Sequence, residues 1–176
     1  MVGKNKILFV IILLLLGANA FIIVQYKSTP KTGYVLIQEL YNGFEMKKEM
    51  EKKYLQVKNS RDKILDSLTL ELKILSQKIA IEKEKNPETI QSFESKRAEF
   101  IERKQMFEED NNALSQKYDQ EILTQLNQYT KDFGKANGYT YIFGNDGNGS
   151  LMFSEESQNI TTEVIEFINN KYKGVE

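Results

Sequence analysis

Carboxylates are the residues whose spacing first invites a chemical reading. The sequence holds 25 Asp and Glu against 24 Lys and Arg, and no His and no Cys. Without His or Cys there is no Ser-His-Asp or Cys-His nucleophile and no zinc site of the usual ligands. A carboxylate-only metal or acid–base site remains open in principle. The run Asn145-Asp146-Gly147-Asn148-Gly149 resembles the start of a calcium loop. Such a loop needs Asp first and a bidentate Glu twelfth. Counted from Asn145 the twelfth residue is Glu156, but the first is then Asn; counted from Asp146 the twelfth is Ser157. The run therefore reads as a turn. No catalytic, metal-binding or cofactor-binding residue is assigned. Asn148-Gly149-Ser150 and Asn159-Ile160-Thr161 match a glycosylation pattern that arises often by chance, and no role is given to them. The net charge of −1 lacks the basic excess of a nucleic-acid binder.

The elements that position these residues begin with an export segment. Lys4 and Lys6 precede an uncharged stretch, residues 7–24, whose first ten residues are apolar. Ala18-Asn19-Ala20 has the small-x-small form of a cleavage site, yet Phe21-Ile22-Ile23-Val24 prolong the apolar run. As a helix the stretch would be about 27 Å long, near the lower limit for a bilayer. A cleaved signal peptide and an uncleaved inner-membrane anchor both fit residues 1–26. Either puts the rest of the chain outside the cytoplasm.

Tyr34-Val35-Leu36-Ile37 reads as a strand. Residues 39–133 are rich in Glu, Lys, Gln, Leu and Ile, with one Pro and one Gly, which is the composition of long helices. The break at Asn86-Pro87-Glu88 divides them into two helices of about 45 residues, each about 70 Å long, the alternative being a single helix kinked at Pro87. Leu65, Leu68, Leu72, Leu75 and Ile79 step by three and four, as a coiled-coil seam does. On the return helix Phe93, Phe100, Phe107 and Leu114 recur every seven residues, with Arg97, Lys104 and Asn111 between them. A turn near residues 86–88 faces Ile79 to Phe93, Leu72 to Phe100 and Leu65 to Phe107. Leu70, Ile74, Ile81, Ile101 and Met106 are apolar but fall off the seam, and form a candidate stripe for contact with apolar segments of other chains. The first helix, residues 45–86, has 11 basic and 8 acidic residues; the second, residues 87–132, has 6 and 10. A mildly basic helix is thus paired with an acidic one.

Residues 138–153 read as two short strands flanking a Gly- and Asn-rich turn, a β-hairpin. A final helix follows, with Asn159 or Thr161 as N-cap and Val164, Ile165, Ile168 and Tyr172 on one face. The fold class expected is α+β: a long antiparallel helical hairpin, residues 39–133, projecting from a small β-body, residues 27–38 and 134–176. The core of that body is expected from Tyr34, Val35, Leu36, Ile37, Tyr141, Ile142, Phe143, Leu151, Phe153, Ile160, Val164 and Ile168. A body this thin, with open sheet edges, gains from oligomerisation.

The segment from Gly33 through Tyr34-Val35-Leu36-Ile37-Gln38-Glu39-Leu40-Tyr41-Asn42-Gly43 to Phe44 resembles the opening strand and first helical turn of the Skp/OmpH family of periplasmic chaperones. Asn159-Ile160-Thr161-Thr162-Glu163-Val164 resembles that family's closing Asp-Ile-Thr-x-x-Val segment, with Asn in place of Asp, and Ile168-Asn169-Asn170-Lys171-Tyr172 continues it. The resemblance covers the chain after the export segment. It implies a homotrimer whose β-bodies form a barrel and whose arms form a jellyfish-like cage. It implies an ATP-independent holdase, without enzymatic activity, whose partners are unfolded outer-membrane proteins in the periplasm. The chain departs from the strongly basic best-known member: without residues 1–20 its net charge is −3, since Lys4 and Lys6 leave and no acid does. A lipopolysaccharide site is not carried over. The rival reading is a membrane-anchored coiled-coil adaptor or spacer of the cell envelope.

Overall fold

The structure, a computed structural model, describes residues 9, 12–19, 29–81 and 86–175. Residues 12–19 are helical. Among the described residues no helix is long and apolar enough to cross a membrane. The choice between signal peptide and anchor turns largely on residues 1–8, 10–11 and 20–28, which lie outside the described residues.

Seven elements follow: β1 (Thr32–Leu36), α1 (Ile37–Gly43), α2 (Glu45–Ile81), α3 (Pro87–Ala136), β2 (Tyr141–Asn145), a single 3-10 turn (Glu156–Gln158) and α4 (Thr161–Lys173). They divide into two compact units. One comprises residues 1–40 and 130–164, the other residues 41–129 and 165–176. The last turns of α4 thus group with the long helices, whereas the sequence pattern places residues 134–176 together.

The first unit is built on β1. β1 and β2 pair in parallel, from Thr32 opposite Tyr141 to Leu36 opposite Asn145. Parallel strands need a long crossover, and here the helices between them supply it. The other side of β1 is taken by the closing segment: Tyr34 bridges Asn159, and the Ile160 amide donates to the Tyr34 carbonyl at 2.9 Å. Gly33 is required by this approach, because a Cβ there would lie 2.9 Å from the Ile160 side chain. The expected β-hairpin does not form, since Leu151 to Phe153 are not a strand. Gly147 and Gly149 adopt φ of 79° and 91°, which turns the chain away from β2. Tyr34, Val35, Leu40, Phe133, Ile160 and Val164 are the buried apolar side chains of this unit. Each contributes roughly 1.5–3 kcal/mol by leaving water.

The closing segment is held by its polar atoms. Asn159 Oδ1 accepts from the Thr161 amide at 3.1 Å and from Thr161 Oγ1 at 2.6 Å, while Thr161 Oγ1 accepts from the Leu36 amide at 2.9 Å. Thr161 is buried and fully engaged, so the helix start is tied to the end of β1. Asn serves here as Asp would, because both supply the accepting oxygen.

The second unit holds the two long helices. Asn86 caps α3: its Oδ1 accepts from the Glu88 amide at 2.9 Å, and Pro87 stands at the first helical position. The turn itself, residues 82–85, lies outside the described residues. The helices pack in the expected antiparallel register, joined by Arg61–Asp110 at 3.1 Å and Lys96–Glu71 at 3.1 Å. Within the described residues α2 and α3 run for 37 and 50 residues, or about 55 and 75 Å, and α2 begins only at Glu45 rather than near residue 39. The reason is a break at Phe44 that the sequence pattern does not announce. Asn169 makes it: its Oδ1 accepts from the Glu45 amide at 2.9 Å and its Nδ2 donates to the Gly43 carbonyl at 3.0 Å. Those are the backbone groups that the break leaves open. α4 ends where Gly174, at φ 70°, lets the Val175 amide reach the Asn170 carbonyl at 2.9 Å.

Candidate functional site

The helical unit carries the residues selected from the sequence. All nine seam residues are buried or half-buried: Leu65, Leu68, Leu72, Leu75 and Ile79 on α2, and Phe93, Phe100, Phe107 and Leu114 on α3. Only Leu68 and Phe107 are fully enclosed. Of the polar residues placed between them, Asn111 is half-buried and bonded by Arg61, whereas Arg97 and Lys104 are exposed and pair with Glu94 and Glu108 of their own helix.

The off-seam apolar residues are exposed: Leu70 59%, Ile74 55% and Ile81 81% on α2, Ile101 55% and Met106 45% on α3. Leu70, Ile74 and Ile81 fall within about 40° of one another around α2, roughly 160° from the seam. They form one apolar strip on the outward face. Ile101 and Met106 lie about 140° apart around α3, on opposite flanks, so the five do not make a single stripe. Leu55, Val57, Ile64 and Leu123 are exposed too. They were not among the residues selected from the sequence. Leu55, Val57 and Ile64 fall at positions flanking the α2 seam, where the heptad pattern marks them, whereas Leu123 falls on the face of α3 opposite its seam.

At the base of the helical unit lies a recess of about 210 Å³, lined by Tyr41, Met50, Tyr54, Tyr118, Asp119 and Ile122 among others. The Tyr41 hydroxyl donates to Asp119 at 2.8 Å, and burial followed by this bond pushes its pKa up to about 12. Tyr172 behaves alike: burial and its bond to Glu49, at 2.8 Å, push it to about 12. Along the hairpin Lys96 reaches both Glu71 and Glu99, which raises its pKa; Lys96 in turn holds the Glu99 carboxyl below the usual range.

In the other unit, Tyr141, Phe143 and Phe153 are exposed rather than in the core expected for them. Leu36, Ile37, Ile142 and Leu151 are half-buried. Ile168, fully buried, belongs to the helical unit. The physical reason lies in the lone parallel pair. Ile142 points inward and its ring neighbours outward, where Tyr141 and Phe143 stack at 6.1 Å. Met152 and Phe153 are 88% and 82% exposed. The loop at Asp146 is a turn: its carboxylate accepts from the Asn148 amide at 2.9 Å, which holds its pKa below the usual range. Glu156 spends its oxygens on Tyr34 and Asn159 instead. Among the described residues no group of three or more acidic side chains could hold a metal ion.

Comparison with known proteins gives this arrangement its relatives. The sequence pattern of the family "outer membrane protein (OmpH-like)" matches residues 31–168, from just before β1 into α4. The chain belongs to the OmpH-like family. No curated protein matches it in sequence. A solved structure, a candidate outer membrane chaperone (OmpH-like) from Caulobacter crescentus, matches with a TM-score of 0.59 at 12% identity, over 82% of this chain and 86% of that one. At that identity the likeness is one of fold. The OmpH-like match takes in β1, both long helices, β2 and the Asn159–Thr161 segment, and so includes the residues whose hydrogen bonds close the β unit. Between them, the OmpH-like helices here are unlike in charge, and exposed apolar side chains sit among the charges of both.

Proposed function

We propose that this OmpH-like chain is an ATP-independent holdase for unfolded outer-membrane proteins in the periplasm, a binding protein rather than an enzyme. What carries the reading is the family match over residues 31–168 together with the solvent-facing apolar strip Leu70, Ile74 and Ile81 on a long charged helix. Single exposed apolar residues are ordinary, but a strip along a soluble helix is the low-specificity surface that an unfolded chain can meet. Ile101 and Met106 add separate exposed apolar contacts on the two flanks of the return helix. Many weak contacts add up by effective concentration, which permits release without nucleotide. The working form is a homotrimer, with the exposed Tyr141, Phe143 and Phe153 side chains and the free edge of β2 joining subunits, and the hairpins enclosing the client. The N-terminal segment directs export, and the mature protein is either soluble after cleavage or tethered at the inner membrane.

The test mixes the purified protein with a urea-diluted outer-membrane β-barrel and follows turbidity, with mass in solution measured in parallel. A trimer that suppresses aggregation without nucleotide is expected; a monomer or dimer without effect overturns the reading. Changing Ile74, Ile81, Ile101 and Met106 together to Ser should leave the trimer intact and remove most of the suppression. Unchanged suppression would take the client surface elsewhere. Mass spectrometry of the mature N-terminus separates the two envelope forms: a start at Phe21 removes the tether.

A further inference from the structure

The chain contains three Asn-Gly dipeptides: Asn42-Gly43, Asn137-Gly138 and Asn148-Gly149. Glycine after asparagine leaves the backbone nitrogen unhindered for attack on the asparagine side chain. By sequence the three are equal. By structure they are not.

Asn42 lies in α1, where the helical backbone holds the next amide away from the side chain, and its Oδ1 accepts from Lys47 Nζ at 3.1 Å. Gly43 is packed so tightly that a Cβ would meet Ile165 at 2.9 Å. Asn137 follows α3 in an exposed turn, and Gly138, at φ 70° with nothing within 4 Å of a Cβ there, is as open as Gly149. What restrains this site is the asparagine itself, whose amide and Nδ2 both donate to the Phe133 carbonyl, at 3.0 and 2.9 Å, and whose carbonyl accepts from Lys31 Nζ at 2.9 Å. Asn148 stands in the exposed loop after β2. Gly149 is at φ 91°, the nearest atom to a Cβ there would be Met152 Sδ at 3.5 Å, and among the described residues nothing bonds its N–H. The Asn148 side chain itself is held only by Asp146, with Nδ2 donating to Oδ2 at 3.3 Å.

We propose that Asn148 is a site of spontaneous deamidation. The Gly149 nitrogen attacks the Asn148 side-chain carbonyl carbon. The bond to Nδ2 breaks, and ammonia leaves with the proton from the glycine nitrogen. Water then opens the five-membered imide, giving aspartate or, through the other carbonyl, isoaspartate with one more methylene in the main chain. The product replaces a donor to Asp146 by a second carboxylate. The Asp146 turn loses its Asn148 side-chain bond and gains like-charge repulsion, so the loop leading to the exposed Met152 and Phe153 loosens irreversibly.

The test incubates the folded full chain in mildly alkaline buffer and maps peptides by mass spectrometry, with isoaspartyl methyltransferase labelling. Asn148 should convert faster than Asn42 and Asn137 by roughly tenfold or more, because Asn42 in its helix and Asn137 on the Phe133 carbonyl must first open locally. In urea the three rates should converge. N148Q should remove the fast conversion and leave the slow ones. Equal rates in the folded protein, or an Asn148 that stays amide while the urea-unfolded chain reacts there, would overturn the proposal.

Discussion

The base and the far half of the helical hairpin share one composition and differ in what covers their seam. At the base, Phe44 is wholly buried, with its ring edge-on to Tyr129 at 6.2 Å and Tyr172 at 5.7 Å. Ile122, Leu126 and Ile168 are buried around it. Three helices meet there, because the end of α4 lies against the start of α2 and the later turns of α3. Tyr172 bonds Glu49 and Lys173 pairs with Glu45 at 2.7 Å. Farther out only two helices face each other. Two cylinders in contact cover each other on one side only, so most of the outer seam stays half-exposed, with Leu68 and Phe107 the exceptions. The comparison teaches that a third helix, rather than a better heptad, is what makes a dry core in this chain. The outer hairpin is left with modest burial and with ion pairs that are largely exposed, which contribute little.

The largest effect should come from breaking the base. Phe44→Ala removes a fully buried ring shared by three helices and should cost about 3–5 kcal/mol, read by urea denaturation. A loss under about one kcal/mol would show that the base is not the stable centre. Next, Asn169→Ala leaves the Glu45 amide and the Gly43 carbonyl without their partner and should cost about 1–3 kcal/mol. Asn169→Asp should recover part of that loss, since it keeps the acceptor. Third, backbone hydrogen exchange should be slower around residues 44–50 and 122–129 than around residues 70–80 and 93–103, because openings are cheapest where burial is least. Uniform protection would erase the distinction.

The base should also carry a stronger alkaline pH dependence than the outer hairpin, whose shifted groups Lys96 and Glu99 are open to solvent. Tyr41 and Tyr172 are raised from 10.0 to about 12. The folded state therefore keeps protons that the unfolded chain releases. Their contribution is complete below pH 10 and declines as pH climbs from 10 toward 12. Denaturation midpoints across that window should fall, and should fall less in Y41F and Y172F. The smallest effect is expected at the exposed Lys96 cluster. Lys96→Met should leave the melting temperature nearly unchanged while altering the salt dependence of client capture.

Much of this is legible in the sequence. The a and d spacing from Leu65 to Ile79, the seven-residue recurrence of Phe93, Phe100 and Phe107, and the single Pro87 specify two antiparallel helices. They do so because helix periodicity and proline geometry are local properties of the chain. That the last helix is capped at Asn159 or Thr161 is legible for the same reason; that Asn159 supplies the accepting oxygen and Thr161 is the first helical residue is decided by the structure. The break at Phe44 is not, because the residue that stabilises it, Asn169, is 124 or more positions away and its role is visible only once the two meet. The strand expected after the Asp146 turn is absent: Gly147 and Gly149 at positive φ carry the chain away from β2, and the third chain segment beside the strands is instead Asn159 and Ile160, which lie against β1.

The outer strip shows the same division. That Leu70, Ile74 and Ile81 lie off the seam follows from numbering alone. That Ile101 and Met106 lie on opposite flanks of the return helix required only helix geometry, but that all five stay exposed among the described residues required the fold. The sequence by itself determined the local things: helix, turn, cap, seam and charge. The tertiary structure decided where a third helix would dry the seam, which strand would pair in parallel, and which of three identical Asn-Gly pairs would stand free. Those outcomes depend on contacts between residues far apart in the chain, and no local spacing encodes them.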